Sequence, residues 1–474
     1  MGDAALLFAN RFHTSRDSVL LVSRDGRRHT YGEVWAGSCE LAAKWRGQGV
    51  KPGDAVAIGF VNDPVFLYCY VACIIGGFVA VPINFELTPD DIAFILSLVT
   101  PTLVLREPPT VETDAAETAA FSVATDPRDV CAIFFTSGTT GRPKGVRHSL
   151  AALVGNVVSF NSITGLGEHT CLYHVLPMAY MAGFLNTFLS PVMAGGTVVI
   201  GPRFSPQTAL DFWSRPQTEG ANAVWLSPSI AAALCRVVRD IAAVRQVAAG
   251  FSDIFCGTAP LHPVVRRDFH DTFGQPLQES YGTSELLLVS VQDRKQALVG
   301  AEHVGRPLVE LELAFRPDEE GLKELFIRSP FEMRGYLTEK GCSSPSRDGW
   351  MSTGDIGAVI DGNLHITGRI KDLIIRGGVN IAPRALEDAV GDVPGVLDVA
   401  VIGLPHEFWG ESVVLCVEAA GDVESSALET AIRQRCRKAV ARSHQPDRIV
   451  VLRSFPRAVT DKVQKHLLKQ RLAE

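Results

Sequence analysis

Phe134-Phe135-Thr136-Ser137-Gly138-Thr139-Thr140-Gly141-Arg142-Pro143-Lys144-Gly145 is the stretch around which the other motifs of the chain arrange themselves. Its twelve residues include three threonines, one serine, three glycines, an arginine and a lysine. The apolar run that leads into it, Val130 to Phe135, reads as a buried strand. A strand emptying into a Gly/Thr/Ser loop that ends in lysine suits a polyphosphate. Glycines let the backbone come close, N–H groups and hydroxyls donate to phosphate oxygens, and the cation offsets their charge. Gly/Ser/Thr clusters are more often plain surface loops, but Arg142-Pro143-Lys144 restricts that freedom. Arg142 and Pro143 separate Gly141 from Lys144, so the spacing is not Gly-x-x-x-x-Gly-Lys-Ser/Thr and a kinase- or GTPase-type loop is disfavoured.

A length of 474 residues implies two to four domains or subdomains. With 46% hydrophobic and 20% charged residues the chain is a globular enzyme type and not a disordered one. The ten cysteines are scattered without a Cys-x-x-Cys pair, which argues against zinc and redox dithiols and for buried, reduced thiols in a cytoplasmic protein. The N-terminus lacks the pattern of a signal peptide, and Leu6 breaks the myristoylation pattern. Phe66 to Phe85 is uncharged and long enough for a membrane span. Its Gly76-Gly77 pair instead suggests a helix to about Ile75, a turn and a strand at Phe78–Val81, so no span is expected. The net charge is −7, yet Arg433 to Arg471 carries twelve Lys/Arg against Asp447 and Asp461. That run suits a local anionic partner or a solvated helix face, and not nucleic acid along the whole surface.

Before residue 130 the pattern alternates helix and strand: a capped helix from Thr30 to about Arg46, a strand at Ala55–Phe60, and a helix from Thr88-Pro89 to about Leu98. Strands at Cys171–Leu176, Thr197–Ile200, Ala223–Leu226 and Asp253–Cys256 continue the rhythm, with helices at Ser229–Ala243 and Pro263–Thr272 among them. The expected fold class is α/β: a large N-terminal domain of mostly parallel sheets covered by helices. Short strands at Glu324–Ile327, Trp350–Ser352, Gly357–Ile360 and Leu364–Ile366 form a small β-rich subdomain. After Gly368-Arg369-Ile370-Lys371-Asp372 follows an α+β C-terminal unit, giving domains 1–368 and 369–474.

The loop at 134–145 is similar to the phosphate loop of the adenylate-forming superfamily, which includes acyl- and aryl-CoA synthetases, luciferases and nonribosomal adenylation domains. Five further segments resemble that family's motifs in order: Gly257-Thr258-Ala259-Pro260-Leu261, Glu279-Ser280-Tyr281-Gly282-Thr283-Ser284-Glu285, Trp350-Met351-Ser352-Thr353-Gly354-Asp355, the hinge at 368–372, and Pro456-Arg457 through Lys462. The resemblance covers essentially the whole chain and implies a carboxylate–CoA ligase with ATP, Mg²⁺ and CoA.

By that resemblance Thr136, Ser137, Gly138, Thr139, Thr140, Lys144 and Ser284 hold phosphates. Gly257, Thr258, Ala259, Glu279, Ser280, Tyr281 and Gly282 form the adenine side, Tyr281 stacking on the base. Asp355 and Arg369 meet the ribose, and Glu285 holds the metal, a hard oxygen ligand for a hard ion. Lys462 is the catalytic residue, with Asp461 standing where the family usually has glycine. Lys371 marks the hinge of a mobile C-terminal domain, and Gly377 and Gly378 lie along the pantetheine path.

Leu176 to Phe184 resembles the family's acid-binding segment, with Tyr180 where histidine or another aromatic is usual. No aspartate occurs between His174 and Pro191 to pair an α-amino group. Met178, Tyr180, Met181 and Phe184, with Val224 and Trp225 as core-or-pocket positions, then line an apolar pocket for an aryl, polycyclic or fatty acid. A carrier-protein phosphopantetheine is the alternative acceptor, and a non-catalytic ATP/AMP-binding protein the alternative class. The latter would be expected to lack Lys462 or Glu285, and both are present. The oligomeric state is left open, a homodimer included.

Overall fold

A computed structural model of the chain describes residues 4–111, 123, 126, 128–137, 142–295, 297, 302–317, 321–421, 423–457 and 463–473. The strands Val130–Ser137 and Pro143–Ser149 pair antiparallel, with Thr136 opposite Lys144 and Ser137 opposite Pro143. The Gly/Thr stretch therefore joins the arms of a hairpin, and Lys144 lies on a strand, not at the end of a loop. Cross-strand pairing fixes where Thr136, Ser137 and Lys144 stand relative to one another. Gly138, Thr139 and Thr140 lie outside the described residues.

The hairpin belongs to a seven-stranded sheet, beside the parallel strands Val79–Pro82, Ala55–Ile58 and Leu103–Leu105. A nine-stranded sheet runs parallel through its centre, from Val19–Val22 to Gln278–Thr283, and antiparallel at its edges. The α/β expectation holds, with sheets more mixed than the βαβ rhythm alone suggests. The apolar run at 66–85 becomes the helix Pro64–Gly76 and the strand Val79–Pro82. Asp63 caps that helix through Val65 N, and Gly77, at φ 72°, ends it. Because the helix sits between layers, it is buried from Phe66 to Gly76 and is apolar all round. No described helix is long and apolar enough to cross a membrane.

Two expected elements differ. The helix expected at Ser229–Ala243 is two, Pro228–Val237 and Ile241–Ala248. Val238 turns extended, and Asp240 caps the second helix by accepting from Ala243 N. Conversely, Trp350–Ser352 and Gly357–Ile360 merge into one strand, Met351–Ile360, with a bulge between Ile356 and Gly357. A Cβ at Gly357 would lie 2.0 Å from the His365 carbonyl oxygen, so only glycine lets the partner strand approach there.

From Ile374 a separate hydrophobic core begins. Helices Pro383–Val390 and Ser425–Ala439 pack on one face of a five-stranded sheet, and the helix Lys465–Ala473 on the other. The basic run at 433–471 is less free than its charge count suggests. Arg433, Arg435, Arg457 and Lys465 are ion-paired to Glu429, Asp392, Asp398 with Glu418, and Glu387 respectively.

Candidate active site

Three sheets meet where the motifs converge, and single hydrogen bonds join them. His148, on the second hairpin arm, is buried and donates through Nε2 to the Ser284 carbonyl at 2.7 Å. Burial holds its pKa down at about 4, so the neutral ring is the donor. The Tyr336 hydroxyl donates to Glu285 Oε1 at 2.7 Å, and its ring lies 5.5 Å beneath the Lys144 ammonium. Tyr336 sits on the strand Tyr336–Thr338, which pairs with the hairpin arm at Val146 and Gly145. One phenol thus positions the expected metal ligand beside the expected phosphate cation. Neither His148 nor Tyr336 belongs to a motif, so sequence reading missed both. A polar side chain reached across 136 or 51 residues leaves no local signal.

The third join is Tyr281 Oη to Asp355 Oδ2 at 2.5 Å. Arg369 completes it, with Nε to Asp355 Oδ1 at 2.5 Å and Nη2 to Oδ2 at 3.3 Å. Asp355 is only 1% exposed. Burial, then the Asp355 charge, pushes the Tyr281 phenol well up and keeps it a donor. Tyr281, Asp355 and Arg369 therefore form one cluster.

Glu279 differs from its expected role on the adenine side. Its Oε2 takes Arg266 Nη2 at 2.6 Å and its Oε1 takes Leu261 N at 3.3 Å, with both ion-pair side chains nearly inaccessible. Both carboxylate oxygens are thus spent inside the fold, where they anchor the strand that carries Ser280 to Gly282. Gly257, at the end of the neighbouring strand, has no room for a Cβ, which would lie 2.6 Å from Ser280 Oγ. Thr258 is exposed with φ 75°. A β-branched residue there is strained, as at many ligand sites. Ala259 is partly exposed next to it.

The acid-pocket residues divide. Phe184 and Met178 are core: Phe184 stacks 4.2 Å from Tyr70, and Met178 is 1% exposed, with its carbonyl held by the Tyr70 hydroxyl at 3.1 Å. Val224 and Trp225 are also fully buried. Tyr180 and Met181 remain partly exposed, with Asn84 donating to the Tyr180 hydroxyl at 3.2 Å. Asn62 fixes the segment from behind, donating to Leu176 O at 2.8 Å and accepting from Met178 N at 3.0 Å.

Lys462 lies outside the described residues, though its flanks are pinned by an Arg457–Val463 bridge and by Gln464 N donating to Pro456 O at 2.8 Å. Lys371 lies in the turn Ile370–Asp372, immediately after Arg369. Gly377 and Gly378, at φ 58° and 80°, form a turn against the exposed Phe408 and Trp409, Arg376 lying 5.9 Å over the Trp409 ring.

Residues 8–337 match the AMP-binding enzyme profile, and residues 385–462 match the AMP-binding enzyme C-terminal domain. The chain belongs to the AMP-binding enzyme family. It is 30% identical to the long-chain-fatty-acid–CoA ligase FadD13 of Mycobacterium tuberculosis, over 94% of this chain and 93% of that one. It is also 30% identical to the feruloyl-CoA synthase of an Amycolatopsis species, over 82% and 83%. Among solved structures, ATP-bound MatB from Rhodopseudomonas palustris superposes with a TM-score of 0.87 at 25% identity, over 100% and 99% of the two chains. Apo MatB from the same organism superposes with a TM-score of 0.78 at 25% identity.

Contacts between the two parts of the AMP-binding enzyme include His262 Nδ1 to Asp388 Oδ1 at 2.8 Å, Arg236 Nη2 to Leu397 O at 2.9 Å and Arg384 Nη1 to Ile366 O at 3.2 Å. Burial works against a charged His262, but the hydrogen bond and charge of Asp388 outweigh it and raise its pKa. A raised folded-state value gives a contribution that is complete below the ordinary histidine pKa and lost as pH rises through the raised one. The domain contact is therefore expected to loosen as pH climbs above about 6.5. Proteolysis at 370–372 at pH 6 and at pH 8.5 checks this: wild type should be cut faster at the higher pH, and His262→Gln equally at both.

Proposed function

We propose that this chain activates an apolar carboxylic acid, aryl or fatty, as its adenylate, and that Tyr281, Glu285, Asp355, Arg369 and Lys144 bind the nucleotide while Lys462 assists the chemistry. The chain is an AMP-forming acid–thiol ligase of the CoA ligase type, as its family and its relatives indicate. ATP and CoA are its co-substrates. The observation that carries the site reading is the convergence of Lys144, Tyr336 and Glu285 on one junction with the Tyr281–Asp355–Arg369 cluster.

In the first step a carboxylate oxygen of the acid attacks the α-phosphorus of ATP and pyrophosphate leaves. Charge spreads over the phosphate oxygens, and preorganised donors and cations stabilise it. Lys144 and the hydroxyls of Thr136, Ser137 and Ser284 face the leaving phosphates in this reading. In the second step the CoA thiolate attacks the acyl carbon, the acyl–phosphate bond breaks and AMP leaves. Lys371 serves as the hinge between the steps, and Gly377-Gly378 with Trp409 as the thiol's approach.

The residues fit Mg²⁺ only in company with ATP. The described residues contain no cluster of three or more His, Cys, Asp or Glu side chains able to hold a metal. Glu285 has its Oε1 oriented by the Tyr336 hydroxyl. One carboxylate plus substrate phosphates is a usual Mg²⁺ arrangement, and the ion would neutralise charge between phosphates. Tyr336→Phe should leave Glu285 unoriented and raise KM for MgATP by roughly 3–10-fold, the worth of one hydrogen bond. An unchanged KM would remove Tyr336 from the site.

Tyr180 and Met181 present an aromatic and a polarisable wall, and the names of the fatty-acid and feruloyl relatives agree with an apolar acid. ATP–pyrophosphate exchange with fatty, cinnamic, dicarboxylic and α-amino acids tests this. Exchange with the first two groups is expected. Exchange confined to the last two, or none while ATP still binds, overturns the reading. Offering CoA or a phosphopantetheinylated carrier protein in the same assay distinguishes the acceptors.

A further inference from the structure

The segment from Leu176 to Phe184 is gripped from the side of the seven-stranded sheet, and different residues hold its backbone and the Tyr180 ring. Asn62 binds Leu176 O and Met178 N, and the Tyr70 hydroxyl binds Met178 O. Within the segment Tyr180 N donates to Pro177 O at 3.2 Å, and Tyr180 O accepts from Phe184 N at 3.0 Å. A Cβ at Gly183 would lie 2.0 Å from Pro177 O, so the turn closes tightly on itself. The backbone at Tyr180 is therefore set from several directions. Its partly exposed side chain has one polar tether among the described residues, the Asn84 Nδ2 donor at 3.2 Å.

Asn84 stands two residues beyond the strand Val79–Pro82 and is itself fixed. Its Oδ1 accepts from Glu86 N at 3.0 Å, and its carbonyl accepts from Leu87 N at 3.1 Å. A backbone N–H can only donate, so the amide atom facing Glu86 is the oxygen and the one facing Tyr180 is the nitrogen. The phenol oxygen is thus the acceptor. Burial outweighs the Asn84 donor and raises the Tyr180 pKa, so the phenol stays neutral. Glu86 is ion-paired with Arg203, just beyond the strand Thr197–Ile200, which ties the same turn to the nine-stranded sheet.

We infer that Asn84 is a specificity-determining positioning residue: by holding the Tyr180 ring in one orientation it gives the acid pocket a rigid wall and so limits which acids are activated. The inference rests on the reading that Tyr180 lines that pocket. Loss of the tether frees the ring to turn about its side-chain bonds while the backbone stays pinned. A wall that yields accepts shapes that a fixed one rejects, and discrimination between acids is read as a ratio of kcat/KM values. The effect should belong to the acid and not to the nucleotide.

The test is kcat/KM in ATP–pyrophosphate exchange by the full chain, with cinnamic acid and a series of short to long straight-chain fatty acids. In Asn84→Ala the ratio between the best and the poorest acid should fall about three- to tenfold, the worth of one hydrogen bond, with KM for MgATP unchanged. Tyr180→Phe, which keeps the ring and removes the acceptor, should lower the ratio equally, and the double variant should go no further. Asn84→Asp, whose second oxygen can accept from the phenol, should restore it. The inference is overturned if Asn84→Ala keeps the wild-type ratio, if it raises KM for MgATP as much as it changes the acids, if Asn84→Asp behaves as Asn84→Ala, or if wild type uses all the acids equally. Tyr180→Ala separates the two levels: a changed ratio there with none in Asn84→Ala sinks the positioning role alone, and no change in either sinks the pocket reading as well.

Discussion

Replacing Lys462 with alanine is expected to slow acyl-adenylate formation by roughly 10²–10³-fold, the cost of losing one preorganised charge partner for the transition state. Thioester formation from a supplied acyl-adenylate should be nearly unchanged, because in the two-conformation reading Lys462 leaves the site before the thiol arrives. The observations behind this are the Pro456–Lys462 motif and the pinned flanks of the segment, with Arg457 tied to Asp398 at 2.7 Å and to Glu418 at 2.9 Å. Arg457 fastens the start of the motif to the C-terminal sheet. Single-turnover measurements of the two half-reactions decide the matter. Equal loss in both would contradict the exchange of conformations.

Removing the charge partner of Glu279 should give the largest loss of stability. Arg266 and Glu279 are 2% and 6% exposed at their side chains, and Arg266 Nη1 also donates to Leu277 O and Gln292 Oε1, each at 3.0 Å. Arg266→Leu leaves a buried carboxylate with only the Leu261 amide, a change that costs about 3–5 kcal/mol. Burial already pushes the Glu279 carboxyl up against the pull of Arg266, so without the arginine it would take up a proton more readily. Urea unfolding followed by tryptophan fluorescence should show the loss, and Arg266→Leu with Glu279→Leu together should recover part of it. A single variant within about 1 kcal/mol of wild type would mean that the pair is solvated and the strand anchored otherwise.

The family was legible in the sequence because its motifs are short and local: Thr136, Lys144, Tyr281, Glu285, Asp355 and Arg369 each stand in one, and their roles toward phosphate, metal and ribose are those the resemblance implies. The sequence concealed what depends on distant partners. Arg266 is one cation on the amphipathic helix Pro263–Phe273, indistinguishable by pattern from Arg267, yet one is buried in an ion pair and the other is not. Tyr336 reads as an ordinary strand residue until its strand is laid against the hairpin. Phe184 and Met178 share the composition of a pocket wall and of a core, and only packing separates the two. The hairpin itself was hidden because antiparallel return of Pro143–Ser149 is a register fact, set by pairing along both arms.

The carboxylate of Asp355 gives the Tyr281–Asp355–Arg369 cluster a further significance. Arg369 is the last residue of its strand, and the turn Ile370–Asp372 starts at the next position. Under the proposed function, a ribose that drew on Asp355 would compete with Arg369 for its carboxylate, two residues before the proposed hinge at Lys371. Nucleotide affinity and domain orientation are then two readings of one shared tether, and linkage makes the influence mutual. In that reading, AMP binding would shift the orientation equilibrium by the same factor by which orientation shifts AMP affinity.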